Sequence, residues 1–194
     1  MIHIDYIRTV LERFEGKSIT KGYVPSSNGE PIGVSGVTIA TGLDLGQQTR
    51  TGLEAMGIPA ALVDRFAPYL GVQKKEAQYI LSKYPLTLTR DEVAAVDAAV
   101  HAKYIEATAA LFGSDTFAVA PKEVQAVAVS LHYQFGTPFR KASPALGNAW
   151  AAMQRGDYAR AAAQLRDPLG WSKPHQQYCK RRQSEAALLD VVRA

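Results

Sequence analysis

The stretch GVTIATGLDLGQ, residues 36–47, decides the fold class that we infer for this chain. Its first half is rich in β-branched residues and favours a strand. Two glycines, Gly42 and Gly46, then bracket Leu-Asp-Leu, so we expect the strand to bend sharply and to carry Asp44 at the bend. A carboxylate in such a turn can cap the helix that follows or face a ligand. Asp44 is therefore the first candidate functional residue.

The segments on either side of this stretch differ in their periodicity. Residues 3–15 carry an apolar stripe at helical spacing, formed by Ile4, Ile7, Leu11 and Phe14, and Gly16 follows as a helix stop. Residues 17–46 are rich in glycine and in short β-branched runs, which predicts turns and short antiparallel strands. From about residue 50 the patterns predict about seven helices. Segregated helices and a small antiparallel sheet predict an α+β fold.

Several local signals locate helices beyond the β region. Thr89 followed by Glu92 is a capping box at the start of a long helix. Residues 120–136 are apolar nearly all round at their centre, which indicates a helix buried in the core. Asp157 and Ser143 are plausible N-caps of two later helices.

Composition excludes several classes of protein. The formal net charge of +4 fits a polyanionic target such as nucleic acid or bacterial cell wall, but the basic residues are dispersed and do not alternate with aromatics, so we expect no nucleic-acid partner. The four histidines show no zinc spacing, and the single cysteine, Cys179, allows no intrachain disulfide. The sequence contains no run of about 18 consecutive apolar residues, so we expect no membrane insertion. We also recognise no secretory signal.

Glu15 is the second candidate acid, at the last turn of the first helix. The C-terminal end of a helix carries partial negative charge, which raises the pKa of a carboxyl placed there. If the β region also shields Glu15 from water, that raises its pKa further. Both effects favour the protonated form that a general acid requires. From position alone Glu15 can equally be a solvated residue at a helix end, as we expect for Glu12 one turn earlier.

Thr38 is the third candidate, six residues before Asp44 across the glycine bend. A hydroxyl and a carboxylate that share one face could hold a water between them, the carboxylate taking its proton and the hydroxyl fixing its position. The alternative is that Asp44 caps a helix starting near Gln47 and that Thr38 is only a good strand former.

Several motifs, in their order and spacing, resemble the phage lysozyme family. They are FEG at the end of the first helix, GVTIATGLDLGQ after a glycine-rich insert, SLHYQFG, AMQRGDYARAAAQLRDPLGW and KRRQSEAAL. The family's hairpin pattern Thr-Ile-Gly-x-Gly is filled from Thr38 to Gly42, with Ala40 in place of the first glycine. The likeness covers nearly the whole chain and is strongest to the pesticin-like muramidase branch.

The position of the aspartate separates the branches of this family. Typical phage lysozymes have it six residues before the threonine, where this chain has Ile32. The pesticin-like branch has it six residues after, where this chain has Asp44. Glu30 is the nearest alternative if Asp44 is not the counterpart of the family's catalytic aspartate.

The resemblance implies an N-acetylmuramidase that hydrolyses the β-1,4 bond between N-acetylmuramic acid and N-acetylglucosamine of peptidoglycan without a cofactor. Glu15 would be the general acid, and Asp44 with Thr38 would activate water, an inverting arrangement. Two alternatives stay open, a lytic transglycosylase that uses Glu15 alone and a non-catalytic cell-wall-binding module.

The resemblance also suggests candidate substrate contacts, and each of these residues has an ordinary structural role as its alternative. Gln134 fills the family's Gln-x-Gly position and is a candidate substrate contact, as is Arg181. Arg182 could pair with an acid or attract the wall, although a solvated helix face is the commoner role of such residues. Trp150 and Trp171 could be sugar platforms, but buried core positions are the commoner alternative.

We expect one lysozyme-like domain, residues 1–194, with two lobes: a β-containing lobe of residues 16–70 and a helical lobe of residues 1–15 and 71–194. The expected partner is bacterial peptidoglycan, with a proteinaceous lysozyme inhibitor as a second candidate and a monomer as the oligomeric state. We expect synthesis in the cytoplasm without a signal peptide and action on the wall in the periplasm, after release by a holin or delivery by other machinery. An endolysin, a bacteriocin or an injected effector would all fit, and the compact chain favours an endolysin.

Overall fold

The computed structural model describes residues 1–16, 18–137, 143–167 and 179–192. The helices of these residues are, in chain order, α1 (Ile4–Glu15), α2 (Arg50–Ala55), α3 (Ala60–Phe66), α4 (Lys74–Lys83), α5 (Arg90–Phe112), α6 (Ser114–Val119), α7 (Lys122–Phe135), α8 (Pro144–Gln154), α9 (Tyr158–Arg166) and α10 (Cys179–Asp190). The strands are β1 (Ile19–Tyr23), β2 (Ser26–Ser27), β3 (Glu30–Pro31), β4 (Thr38–Ala40) and β5 (Leu43–Asp44). The expected α+β class is confirmed.

Helix α1 forms where the apolar stripe predicted it. Ile7, Val10 and Leu11 are buried on one face, whereas Ile4, at the start of the stripe, is 44% exposed. Gly16 follows with a φ of 84°, the left-handed conformation that ends helices without a Cβ clash. The helix thus ends at Glu15, which fixes where that carboxylate enters the structure.

The β region consists of two small antiparallel sheets. One has the order β1-β4-β5, with Ile19 paired to Ala40 and Thr38 paired to Asp44. The other is the β2–β3 hairpin, whose turn residues Asn28 and Gly29 both have positive φ, as a type I′ turn requires. Because β4 is the central strand and is fully buried, its register sets the position of the residues on β5.

Two compact units make up the chain. The β-containing unit comprises Glu15–Lys103, and the helical unit comprises Met1–Phe14 and Tyr104–Ala194. Helices α1 and α5 each contribute residues to both units. The lobes predicted from the sequence have their boundary at 70/71. This position lies within the β-containing unit, where α4 contacts β1 and β3. That division into lobes remains a prediction.

The helical unit is built around α7, which is buried from Val124 to His132, as its all-apolar centre predicted. Phe112 and Trp150 pack edge to face against each other in the same core, with ring centroids 5.2 Å apart. Trp150 is fully buried. A core position therefore accounts for this tryptophan, while Trp171 lies outside the described residues.

Local capping follows the sequence signals. The backbone N–H of Thr89 donates to Glu92 Oε2 (2.8 Å) and the N–H of Glu92 donates to Thr89 Oγ1 (3.2 Å), which is the predicted capping box of α5. The carboxylate of Asp157 accepts from the N–H of Arg160 (3.1 Å) at the start of α9. Among the described helices, none is both long enough and apolar enough to cross a membrane.

Candidate active site

Thr38 and Asp44 are direct cross-strand partners in the β4–β5 pair. Residues opposite each other on antiparallel strands project from the same face of the sheet, with Cβ atoms about 5 Å apart. The glycine bend at Gly42, with a φ of 104°, makes this short hairpin possible. The structure therefore brings the predicted hydroxyl and carboxylate side by side.

The Asp44 carboxylate is held through one of its two oxygens. Oδ1 accepts hydrogen bonds from the backbone N–H of Gly36 (3.0 Å) and of Gly46 (2.9 Å). The bond from Gly46 caps a 3₁₀ turn, Leu45–Gln47, so the capping role considered from the sequence is also real. Among the described residues, none donates a hydrogen bond to Oδ2, and Asp44 is half-buried. One oxygen thus fixes the carboxylate, and the other can accept a proton.

A contact between two glycine backbones makes this clamp possible. A Cβ built on Gly36 would lie 2.5 Å from the Cα of Gly46, and one built on Gly46 would lie 2.6 Å from the carbonyl oxygen of Val72. No real Cβ tolerates such distances. The side-chain amide of Gln73 also donates to the Gly46 carbonyl (3.0 Å). Only glycine at both positions lets two N–H groups converge on one carboxylate oxygen.

Ala40 departs from the glycine of the hairpin pattern at a position that needs a left-handed backbone. Its φ is 57°, and its side chain is buried. A non-glycine residue in this region costs about 1 kcal/mol or more. The pattern's glycine is thus explained by backbone conformation, and the alanine keeps that conformation with some strain.

The Thr38 side chain is buried, with 4% exposure. Its hydroxyl donates to the carbonyl oxygen of Gly36 over 3.4 Å, which is long for an O–H···O hydrogen bond. The hydroxyl is therefore only weakly held, and reorientation toward a bound water would cost little.

Glu15 is half-buried at the end of α1 and is the first residue of the β-containing unit, the unit that also holds Thr38 and Asp44. Glu30, the alternative to Asp44, lies instead on the β2–β3 hairpin and forms an exposed ion pair with Lys75 (3.0 Å). Such a pair is ordinary surface electrostatics. The contacts favour Asp44 over Glu30, and the catalytic roles themselves stay predictions.

Sequence reasoning missed Asp97, a buried carboxylate in α5 with 8% exposure. Its Oδ1 accepts from both the N–H (2.9 Å) and the hydroxyl (2.6 Å) of Thr41, and its Oδ2 accepts from the hydroxyl of Ser18 (2.6 Å). The signal was present in the sequence as a single acid inside the apolar helical run VAAVDAAV, residues 93–100. A buried acid of this kind needs hydrogen-bond partners.

Gln134 and Arg181 are both partly buried and belong to one hydrogen-bond network in the helical unit. Arg182 donates to Gln134 Oε1 (2.6 Å) and to Glu185 Oε1 (2.5 Å), and Arg181 donates to Ser130 Oγ (2.9 Å). The Arg181 side chain is 12% exposed and that of Arg182 is fully buried, so Arg182 is not on a solvated helix face. Their established contacts are structural, and substrate binding by Gln134 and Arg181 remains a prediction.

Electrostatics in this network centre on Glu185. Complete burial raises the pKa of its carboxyl, while the guanidinium groups of Arg182 and Arg181 and the hydroxyl of Ser130 oppose that shift. Its Oε2 has no hydrogen-bond partner among the described residues. The described residues contain no group of three or more histidine, cysteine, aspartate or glutamate residues that could hold a metal ion.

Comparison with protein families bears on this arrangement. Residues 2–159 match the model of the Pesticin family, described as "Bacterial toxin homologue of phage lysozyme, C-term". The chain belongs to the pesticin family. The match covers well over half of the chain and includes Glu15, Thr38, Asp44 and Gln134, whereas Arg181 lies beyond it. No curated protein matches the sequence.

Membership of the pesticin family confirms the resemblance to a pesticin-like lysozyme branch. It supports a lysozyme-type function that acts on peptidoglycan, and it suggests the glycoside hydrolases as the enzyme class.

Proposed function

We propose that this pesticin-family protein is an N-acetylmuramidase that hydrolyses the β-1,4 bond between N-acetylmuramic acid and N-acetylglucosamine, with inversion at the anomeric carbon. Glu15 is the general acid. Asp44 is the general base, and Thr38 orients the water. No cofactor takes part in this chemistry.

The pairing of Thr38 with Asp44 carries the proposal. A water between a weakly held hydroxyl and a carboxylate oxygen that accepts no hydrogen bond from the described residues is oriented and can lose a proton at the same time. The bonds from Gly36 and Gly46 hold the other oxygen in place, so the base does not need to reorganise during the reaction.

The bond changes balance without any further reactant. The water oxygen bonds to the anomeric carbon on the face opposite the leaving group, and its proton passes to Asp44. The bond from the anomeric carbon to the glycosidic oxygen breaks, and Glu15 gives its proton to that oxygen. An inverting pair of this kind requires carboxyl groups roughly 6.5 to 9.5 Å apart, whereas a separation of about 5 Å would place a nucleophile against the sugar.

Of the two candidate substrate contacts, Gln134 and Arg181, Gln134 is the better supported, because of its hydrogen bond with Arg182. Arginine can only donate, so the bond from Arg182 fixes the amide oxygen of Gln134 toward the guanidinium. The amide nitrogen then presents two N–H donors for a sugar hydroxyl or acetamido oxygen. For Arg181, whose guanidinium already donates to Ser130, we propose at most a peripheral contact.

Mass spectrometry of fragments released from purified peptidoglycan tests this function. The wild type should yield reducing N-acetylmuramic acid ends, newly formed as the α-anomer in early proton NMR spectra. Glu15→Gln and Asp44→Asn should lose about 10²-fold to 10⁴-fold in rate. Glu12→Gln, one turn earlier on α1, and Glu30→Gln are matched controls that should stay active.

Three results would contradict the proposal in different ways. Anhydro sugar ends with an active Asp44→Asn variant would indicate a lytic transglycosylase. A β-anomer would indicate a retaining enzyme. Wall binding without any released fragment would indicate a binding module.

For the biological role we propose that the protein lyses bacteria from the periplasmic side as a monomer, with endolysin release as the route. Production in the cytoplasm of a Gram-negative host should leave cells intact, and production with an added export signal should lyse them unless Glu15 is replaced by Gln. Lysis without export would contradict the dependence on delivery. Size-exclusion chromatography with light scattering measures the oligomeric state.

A further inference from the structure

One buried carboxylate joins the two chain segments that carry the proposed catalytic acids. Asp97 accepts from Ser18 through Oδ2 and from Thr41 through Oδ1, with donor–acceptor distances of 2.6 to 2.9 Å. Ser18 lies three residues after Glu15. Thr41 lies midway between Thr38 and Asp44. All of these residues belong to the β-containing unit.

The turn that Asp97 contacts does not have a relaxed backbone. Ala40 has a φ of 57° and Gly42 a φ of 104°, so Thr41 lies between two left-handed residues. Such conformations persist only where the surroundings determine them fully. Three hydrogen bonds to a carboxylate that is 8% exposed supply that determination, and bonds to a charged acceptor are the stronger kind.

The other end of the connection lies directly after Glu15, within the β-containing unit. After Gly16 ends the helix, Ser18 is the last residue before β1, whose first residue, Ile19, pairs with Ala40. The bond from Ser18 to Asp97 therefore fixes the chain directly after Glu15, and the bonds from Thr41 fix the turn between Thr38 and Asp44. The helix α5 is the common support of both.

We infer that Asp97 is a positioning residue of the reaction, which sets the distance between the general acid Glu15 and the Thr38–Asp44 pair. Asp97 does not contact the substrate; it acts through Ser18 and Thr41. This inference rests on the proposed function. A displacement of about 1 Å between reacting groups can cost about 10²-fold in rate. We therefore expect the loss of the hydrogen bonds to Asp97 to lower kcat.

Steady-state kinetics on a soluble peptidoglycan oligosaccharide tests the inference, with Asp97→Ala and Asp97→Asn as the informative pair. Asparagine can still accept from Thr41 through its oxygen and donate to the Ser18 hydroxyl, so Asp97→Asn should keep kcat within about 10-fold of the wild type. Asp97→Ala should lower kcat by about 10²-fold and leave KM within a few-fold.

Two further variants separate positioning from loss of folding. Thr108→Val removes a buried hydroxyl that bonds to His132 in the helical unit and is the matched control, expected to keep kcat. Ser18→Ala should lower kcat in the wild-type background and have no further effect in the Asp97→Ala background, because both changes remove the same support. If Asp97→Ala does not fold, the kcat values of Ser18→Ala and Thr41→Val test the inference instead: lowered values support it, and wild-type values in both overturn it.

The outcomes distinguish this inference from the proposed function. Wild-type kcat in folded Asp97→Ala, with Glu15→Gln and Asp44→Asn inactive, would overturn the role of Asp97 alone. An equal loss in Thr108→Val and Asp97→Ala would also overturn it, since the loss would then follow stability. Unchanged activity in Glu15→Gln and Asp44→Asn would overturn the proposed function instead.

Discussion

Thr38 and Asp44 are joined through the backbone of Gly36: its N–H donates to the Asp44 carboxylate and its carbonyl accepts from the Thr38 hydroxyl. The two side chains are also direct partners across β4 and β5. One peptide segment thus orients both members of the proposed water-activating pair.

Replacement of Thr38 by Val should lower kcat by about 10-fold to 100-fold, because the water loses one hydrogen bond that fixes it beside a carboxylate. Thr38→Ser keeps the hydroxyl and should stay within a few-fold of the wild type. The measurement is the rate of reducing-end release. The free energy of unfolding should change little, since the only described hydrogen bond from this hydroxyl is 3.4 Å long. Equal rates for the Val and Ser variants would contradict the role of Thr38.

Gly46→Ala should destabilise the protein by about 1 to 3 kcal/mol, because the new Cβ would lie 2.6 Å from the Val72 carbonyl and the backbone must move. The same movement withdraws one N–H donor from Asp44, so kcat should fall as well. Urea denaturation and reducing-end release measure the two effects. Gly52→Ala in α2 is the control, since its Cβ would meet only the Thr49 hydroxyl at 3.1 Å and alanine favours a helix. A stable, fully active Gly46→Ala variant would show that the glycine contact is not needed.

Arg182→Met should destabilise the protein by about 3 kcal/mol or more, because it leaves the fully buried Glu185 without its shortest ion pair. Arg166→Met is the matched control. Arg166 pairs with Asp190 at the surface, where both side chains are more than 40% exposed, and its loss should cost less than about 1 kcal/mol. The free energy of unfolding in urea gives both values, and equal costs would refute the distinction between buried and exposed pairs.

The stability of the protein should depend on the titration of His132 in acid. Burial lowers the pKa of His132 below its ordinary value of 6.5, so the unfolded chain binds this proton more readily than the folded one. Its contribution is therefore complete above about pH 6.5 and is lost as pH falls through the folded-state pKa. The side chain bonds to Thr108 through Nδ1, which the amide of His132→Asn can imitate.

Unfolding free energies of the wild type and of His132→Asn between pH 7.5 and 5 check this dependence. The difference between the two should shrink as the pH falls, because only the wild type loses the contribution of His132. A constant difference across this range would contradict it.

Much of the fold could be predicted because its signals are local. The end of α1 at Glu15, the capping box of Thr89 and Glu92 and the buried centre of α7 depend on residues within a few positions of one another. The apolar stripe of α1 was right for its buried residues and wrong for Ile4, which is exposed. Periodicity gives the direction of a face but not the extent to which other elements cover it.

The candidate site could be predicted only in part. The glycine bend implied that Thr38 and Asp44 could share a face, and the structure pairs them. The clamp on Asp44 could not be foreseen, since it requires Gly36 and Gly46 to touch beside Val72. The role of Asp97 was equally hidden, because 56 residues separate it from Thr41.

The sequence was enough to give the approximate limits of α1, α5 and α7, the position of the small antiparallel region and the chemical types available for catalysis, since turn residues, caps and periodicity act over a few residues of chain. It did not give the short helices α2 and α6. Tertiary structure alone decided which oxygen of Asp44 is fixed and which can take a proton, and which buried acid supports the hairpin. The physical reason is that a buried carboxylate must find its donors wherever the packed chain provides them. In this protein those donors come from distant backbone and hydroxyl groups that no local pattern encodes.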